Sequence, residues 1–543
     1  MTIARLRELA LVVIGFAALT AIFTYPQLRY PGTTLGTHYD TLFSTWRLAW
    51  IAHALKTDPR HLFDANIFWP ERGTLAYSDA MLLPGFLGAP LIWSGLHPVV
   101  VHNILVLISF VAAGAAMYVL VRDMTGSRVA GWFSGIVFAF QAFRFAHYAQ
   151  LELLWSWPIP IALWAFHRVF RAGRTRDGVL LGVAIALQTW SSVYYAIFLV
   201  STLALLAPIL AIGRSAEDLR RMVTALATGA LVCVILVGPY ALVYVRATSS
   251  VGSRSERDVL DWSPTLRHYL AVTPNNRLYG RWLGDANIEM TLFPGVTALI
   301  AAAAALWPPV NRTRIAYVVL MLLAFDLSLG FHGLTYAAVY RAIPIYRGLR
   351  VPARLFVIVS AALSVLGGFG LARLMRATDR AATRRAIAIA FIAAVLVESA
   401  PMPIDLSPVD REAHPVYAWL RQQPPSVVME WPMPKPYSLG FTHEPLYMYY
   451  SIAHWQRLVN GYSGFYPVSY IRFLEETDSF PSPESVAYLR RSAVDFVILH
   501  GDLAPAAYER VRSALLNHPD FEFVAGSREH GAEVTLYRLR RSS

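Results

Sequence analysis

The chain has 543 residues, 56% of them hydrophobic and only 15% Asp, Glu, Lys or Arg, against roughly a quarter charged in soluble proteins. That balance excludes an ordinary soluble globular protein and marks a polytopic membrane protein. The formal net charge of +12 rests on arginine, since Lys56 and Lys435 are the only lysines. These arginines are scattered between apolar stretches and form no basic domain or arm, so nucleic acid is not expected as a partner.

Arg5 and Arg7 precede the apolar stretch 8–25, which reads as a first spanning helix entering from the cytoplasm. No small-residue cleavage site follows it, so a retained anchor is expected and not a removed signal peptide. Further apolar stretches at 99–121, 129–143, 154–169, 178–193, 195–213, 222–244, 291–308, 314–331, 355–374 and 385–401 make about eleven spans. Short arginine-led loops, at Arg122 to Arg128, Arg168 to Arg176, Arg214 to Arg221, Arg312 to Arg314 and Arg373 to Arg385, alternate as cytoplasmic loops do. On that topology 26–98, 144–153, 245–290, 332–354 and the tail from 402 lie outside. The single cysteine, Cys233, falls inside an apolar stretch, which rules out a disulfide framework within the chain and a Cys-rich metal site.

Long loops of this kind are where function is to be sought. In the first of them, residues 40–55 predict an amphipathic, interfacial helix, with Leu42, Phe43, Trp46 and Trp50 on one side and Asp40, Ser44 and Arg47 on another. Asp40 reads both as a catalytic carboxylate and as a helix cap, and Asp79, after Tyr77-Ser78, as a site residue or the cap of the next helix. His147 and Glu152 sit in the short external turn after the third span, where ionisable groups at membrane depth are site candidates. Five apart, they would not share one helical face. Arg254, Arg257, Arg350 and Arg354 are external. Arg350 and Arg354, four apart at the start of a span, predict a shared face, either a phosphate clamp or a headgroup anchor, while Arg254 has Glu256 and Asp258 as local partners. Trp155, Trp157, Trp190, Tyr194 and Tyr195 read as belt or core residues.

The tail, 402–543, turns polar and Pro-rich from Ser407. It then predicts strands at 427–431 and 494–499, helices at 484–492 and 505–517, and a hairpin over 521–539 turning near Gly531: a soluble α/β or α+β domain following a membrane domain over 1–401. No internal repeat, P-loop, Rossmann glycine fingerprint, HExxH or GxSxG is present. A cytosolic nucleotide-sugar domain has no room in the short cytoplasmic loops.

Four segments carry a resemblance: His38-Tyr39-Asp40 through Trp50; Asn66-Ile67-Phe68-Trp69-Pro70 with Thr74 to Asp79; Tyr346 to Arg354; and Asn460-Gly461-Tyr462-Ser463-Gly464. They resemble bacterial multi-span proteins of the GT-C class of glycosyltransferases, which take sugars from polyprenyl-phosphate carriers. The resemblance implies a GT-C-like α-helical membrane fold, and an active site and C-terminal domain on the periplasmic or outer side of the bacterial cytoplasmic membrane. The implied partners are the lipid bilayer, a polyprenyl-phosphate-linked sugar donor, and a cell-envelope glycan, lipid or protein acceptor. Asp40 occupies the place of the first-loop carboxylate that orients or deprotonates the acceptor hydroxyl. The acidic pair of many members is incomplete here, its partner positions being His38 and Tyr39, which speaks against a bound divalent metal; no other cofactor is implied.

The residue chemistry agrees with this. Glycosyl transfer with inversion needs a base beside the attacking hydroxyl, and a partly buried carboxylate suits that task. Its leaving phosphate needs cationic donors, for which arginine offers a planar fork. Two rival readings stand beside the enzyme. A transporter or flippase would place ionisable groups at mid-membrane, where Asp326 and Glu398 are the clearest, and a non-catalytic assembly protein would keep the fold with its acidic pair incomplete.

Overall fold

The computed structural model of the protein describes residues 3–540 apart from 253, 286, 413, 437, 439, 530 and 531. A helix lies on each of the apolar stretches: Ile3–Phe23, Pro98–Thr125, Arg128–Ala139, Pro158–Ala172, Thr175–Ser191, Val193–Ala211, Ala216–Val251, Val296–Ala305, Arg312–Ser328, Phe356–Arg376 and Ala381–Ser399. Among the described residues, 6 helical runs are long and apolar enough to cross a membrane. Val296–Ala305, with 10 residues, rises only about 15 Å, half the thickness of a hydrocarbon core.

The chain forms two compact units. The first comprises Met1–Pro31, Asn103–Ala241 and Ser253–Leu406. It is helical, with Phe356–Arg376 buried almost throughout. That helix meets Val296–Ala305 at Gly370, where any Cβ would run into the Ala301 carbonyl, so the backbones close to a distance only glycine permits. Leu231, Val234 and Ile235 on Ala216–Val251 point outward as a large apolar surface, as a lipid-facing helix requires.

The second unit comprises Gly32–His102, Leu242–Gly252 and Ser407–Ser543. The tail domain expected from 402 thus begins at Ser407 and takes in most of the first long loop. The reason lies in Tyr39–Thr57, which is buried nearly all round, with Trp46, Leu48 and Ile51 fully enclosed. It packs on Leu82–Trp93 and on His443–Ser451. An interfacial helix would keep one wet face; Leu48, Ile51 and Ala52 extend the apolar surface past one stripe, and such a helix needs cover on every side.

Five strands form the sheet of this unit, in the order 457–458, 427–431, 496–500, 532–539, 521–529. The first three are parallel to one another, and 532–539 runs antiparallel to both of its neighbours. Val427–Trp431 and Phe496–His500 are mostly apolar runs buried on both faces, the usual condition of parallel strands, with Glu430 and His500 facing each other at 2.7 Å. The expected hairpin forms as Phe521–Glu529 with Ala532–Leu539, while its expected turn residue, Gly531, lies outside the described residues. Helices Pro483–Arg491 and Pro505–Leu516 stand where the sequence predicts them.

Candidate functional site

In the second unit the helix carrying Asp40 starts at Tyr39, and its cap is not Asp40. The His38 ring Nδ1 accepts the Asp40 backbone N–H at 3.1 Å, which satisfies one of the orphan donors of the first turn. Asp40 itself is buried, its side chain 12% exposed. Its Oδ1 accepts from the Tyr462 hydroxyl at 2.8 Å, and its Oδ2 lies 3.6 Å from His38 Nδ1. Burial, and next the Asp40 charge, push the Tyr462 phenol well above its ordinary range, so it stays protonated and donates. Rings of Tyr39, Phe43 and Phe441 meet Tyr462 edge-on or tilted.

A second carboxyl holds this arrangement from below. Glu444, fully buried, accepts from the Asn460 amide at 3.2 Å and the Gly461 N–H at 2.9 Å. Burial pushes its carboxyl up to about 8. Asn460 also exchanges two hydrogen bonds with the Glu430 backbone and receives the Phe68 N–H on its carbonyl. Gly461 lies under the Phe68 ring, which leaves no space for a Cβ. Glu444 thereby fixes the loop that presents Tyr462 to Asp40.

Asp79 does not cap the following helix, whose N-cap is Met81. Its carbonyl accepts from Arg47 Nη1 at 2.6 Å, and Tyr244 brackets it by bonding the Ser78 carbonyl and the Ala80 N–H. Arg47 also donates to Ser44 at 3.0 Å and lies over the Phe43 ring.

In the first unit the organising group is Glu289, 4% exposed, in the turn Ile288–Met290. Arg354 grips it through Nη2 and through Nε at 3.1 and 3.2 Å, and His147 Nε2 reaches it at 3.0 Å. Burial alone would raise this carboxyl; Arg354 and His147 outweigh it and hold the group well below the usual carboxylate range. His147 Nδ1 faces the Phe143 carbonyl at 2.8 Å. Glu152, 9% exposed on Leu151–Leu154, is within electrostatic range of Arg354.

The shared face expected of Arg350 and Arg354 is not formed. Pro352 opens the 3-10 turn Pro352–Leu355 and keeps Val351 out of the helical conformation, so Arg350 precedes the helical turn. The Arg350 guanidinium lies 5.0 Å over Trp262 and that of Arg354 5.1 Å over Tyr194, whose hydroxyl accepts the Arg350 backbone N–H at 2.7 Å. Arg254 bonds through its backbone to Arg347 and Tyr340, and Arg257 is exposed. Glu256 and Asp258 are used otherwise: Asp258 closes a capping box with Ser255, and Glu256 lies 3.8 Å from Arg341.

Sequence reasoning missed Glu289, Glu444 and Tyr462 as site residues. Glu289 carried a readable signal, a carboxylate immediately before a span, and Tyr462 lay inside a segment already singled out. Glu444, within an aromatic run, offered none. Among the described residues no group of three His, Cys, Asp or Glu comes together that could hold a metal ion.

No family model and no curated protein matches the chain. Solved structures similar to it include the following two. The apo oligosaccharyltransferase of Archaeoglobus fulgidus is 14% identical, with 90% of this chain and 69% of that one covered and a TM-score of 0.48. ArnT from Cupriavidus metallidurans, also apo, is 12% identical, with 98% of both chains covered and a TM-score of 0.49. At these identities and scores the likeness assigns no activity, which rests on the chain's own residues.

Proposed function

We propose that the protein is a membrane glycosyltransferase of GT-C type, moving a sugar from a polyprenyl-phosphate carrier to an acceptor hydroxyl on the outer face of the bacterial cytoplasmic membrane. One observation carries this reading: the first-loop carboxylate Asp40 is buried in the first turn of its helix and is oriented by Tyr462 from the Asn460 to Gly464 segment. A phenol donor on one oxygen aims the carboxylate, as a general base requires. In the step, the acceptor oxygen bonds the anomeric carbon while the bond from that carbon to the phosphate oxygen breaks. The hydroxyl proton passes to Asp40, and the electron pair leaves with the polyprenyl phosphate.

The phosphate falls to arginine. Arg354 is committed to Glu289, so Arg350 is the first choice, a half-buried residue whose guanidinium lies over Trp262, with Arg254 and Arg257 as the next candidates. Glu398 speaks against transport: it caps Val296–Ala305 by accepting from Val296 and Thr297, and Asp326 likewise accepts from Leu334 and Thr335. Carboxylates that close backbone turns are not carriers of ions.

Asp40→Asn tests the assignment. Asn still accepts from Tyr462 but is no base, so transfer should fall by roughly 10²-fold or more with expression and melting unchanged. A wild-type rate in the purified variant would remove Asp40 from the chemistry.

A further inference from the structure

The helix that bears Asp40 in its first turn ends against an open groove of about 610 Å³, which the reaction described above does not use. Trp50 lies ten residues beyond Asp40, about 15 Å along the axis. The groove is of the size of small-molecule sites. Its aromatic surface comprises Trp50, His53, Trp69 and Trp455. Trp455 stacks on His53 at 4.4 Å and 19° and meets Trp50 edge-on, and Arg457 lies 4.6 Å over Trp69. Burial lowers the His53 imidazole, which favours its uncharged form.

Trp455 is held there at a cost. It follows Ser451 at the end of a helix, bonding back to the Ser451 carbonyl at 2.8 Å, with φ of 56°. This left-handed slot is ordinarily filled by Gly or Asn. The left-handed helix end thus carries a large aromatic side chain where a small residue would serve, and that side chain lines the groove. The indole donor of Trp50 is already spent on the Leu62 carbonyl at 2.8 Å, so Trp50 offers surface and not polarity.

Polar groups of both kinds line the same space. Carboxylates with lone pairs to spare come from Asp58, which lies 2.7 Å from His61, from Asp64, which accepts the Gly73 N–H, and from Glu71, which accepts from Ser469, and guanidinium groups from Arg72 and Arg457. Three negative charges against two positive ones favour neither a phosphate nor a polybasic segment. What matches flat aromatic faces edged by mixed donors and acceptors is a neutral polyhydroxyl ring. The C–H bonds on one face of a pyranose meet the negative face of an aromatic ring, and its equatorial hydroxyls reach outward to carboxylates and arginine.

We infer that this groove binds a saccharide chain of the cell envelope, with Trp455 as its central platform. That the saccharide is the acceptor rests on the proposed transferase reading; that it binds does not.

The test uses the full chain purified in detergent, with hexamers of N-acetylglucosamine, mannose and glucose as probes up to about 10 mM, followed by tryptophan fluorescence and saturation-transfer NMR. At least one hexamer should bind. Trp455→Gly, which relieves the left-handed strain, should weaken that binding at least tenfold while the protein still melts cooperatively near its original temperature. Should that variant fail to fold, Trp69→Ala carries the same decision. Absence of binding by all three hexamers, or affinity unaltered in the folded variants, overturns the inference, as does binding of short peptides with no hexamer bound. Asp40→Asn separates the two claims: it should keep hexamer affinity while transfer is lost, and undiminished transfer would sink the role of Asp40 and leave the groove result standing.

Discussion

A carboxylate's neighbours decide what it does, and three carboxyl groups here are put to three different uses. Asp40 is held by a phenol, Glu289 by an arginine and an imidazole, and Glu444 by neutral amides. The last has a measurable consequence. Its folded value of about 8 lies above its ordinary 4.5, so between these the folded state keeps a proton that the unfolded state releases. Stability from this group is therefore complete below its unfolded value and is lost as pH rises towards 8, by as much as ~4 kcal/mol. Thermal melts from about pH 5.5 to 8.5 should decline with pH, and Glu444→Gln should flatten that slope. An unchanged slope would dismiss Glu444 as the titrating group. At Arg350 the question is geometry against charge: Arg350→Lys keeps the charge and loses the fork, so apparent affinity for a polyprenyl-phosphate sugar should weaken roughly tenfold. Equal affinity would leave Arg350 a headgroup anchor.

At the scale of elements, proline overrides spacing. The i, i+4 relation of Arg350 and Arg354 was readable, but Pro352 forbids the helix that would have given it meaning, and each guanidinium goes to its own aromatic ring. Arg354 instead ties the start of Phe356–Arg376 to the turn Ile288–Met290 through Glu289. A pair so enclosed is costly to halve. Glu289→Gln should destabilise the protein by ~3–5 kcal/mol, because it leaves the arginine charge buried and unmatched. Replacing both residues, Glu289→Leu with Arg354→Met, should recover most of the loss in melting temperature. A double variant as unstable as the single one would mean that the pair does more than neutralise itself.

For the whole molecule, the proposed orientation puts Arg168 to Arg176 and Arg373 to Arg385 in the cytoplasm, and Asp40 and the tail outside. Single cysteines introduced on a Cys233→Ser background report this: a tail cysteine should react with an impermeant thiol reagent in intact cells, and one at Arg380 only after lysis. The opposite pattern would invert the topology. The helices on the apolar stretches were legible in the chain, because length and apolarity along one helix are local properties, while only 6 of the described helical runs are long and apolar enough to cross a membrane. Two of the three parallel strands, 427–431 and 496–500, were legible as short, mostly apolar runs, while Arg457–Leu458 was not, being only two residues long. Asp40 stood out as a carboxylate in a loop too aromatic to be disordered. What the chain alone left open was cover and company. Whether Tyr39–Thr57 floats on a membrane or is enclosed depends on Leu82–Trp93 and His443–Ser451. Whether Asp40 caps its helix or accepts a phenol depends on Tyr462, more than 400 residues away in sequence. Charge pairing and burial arise between distant segments, and no spacing within one segment encodes them.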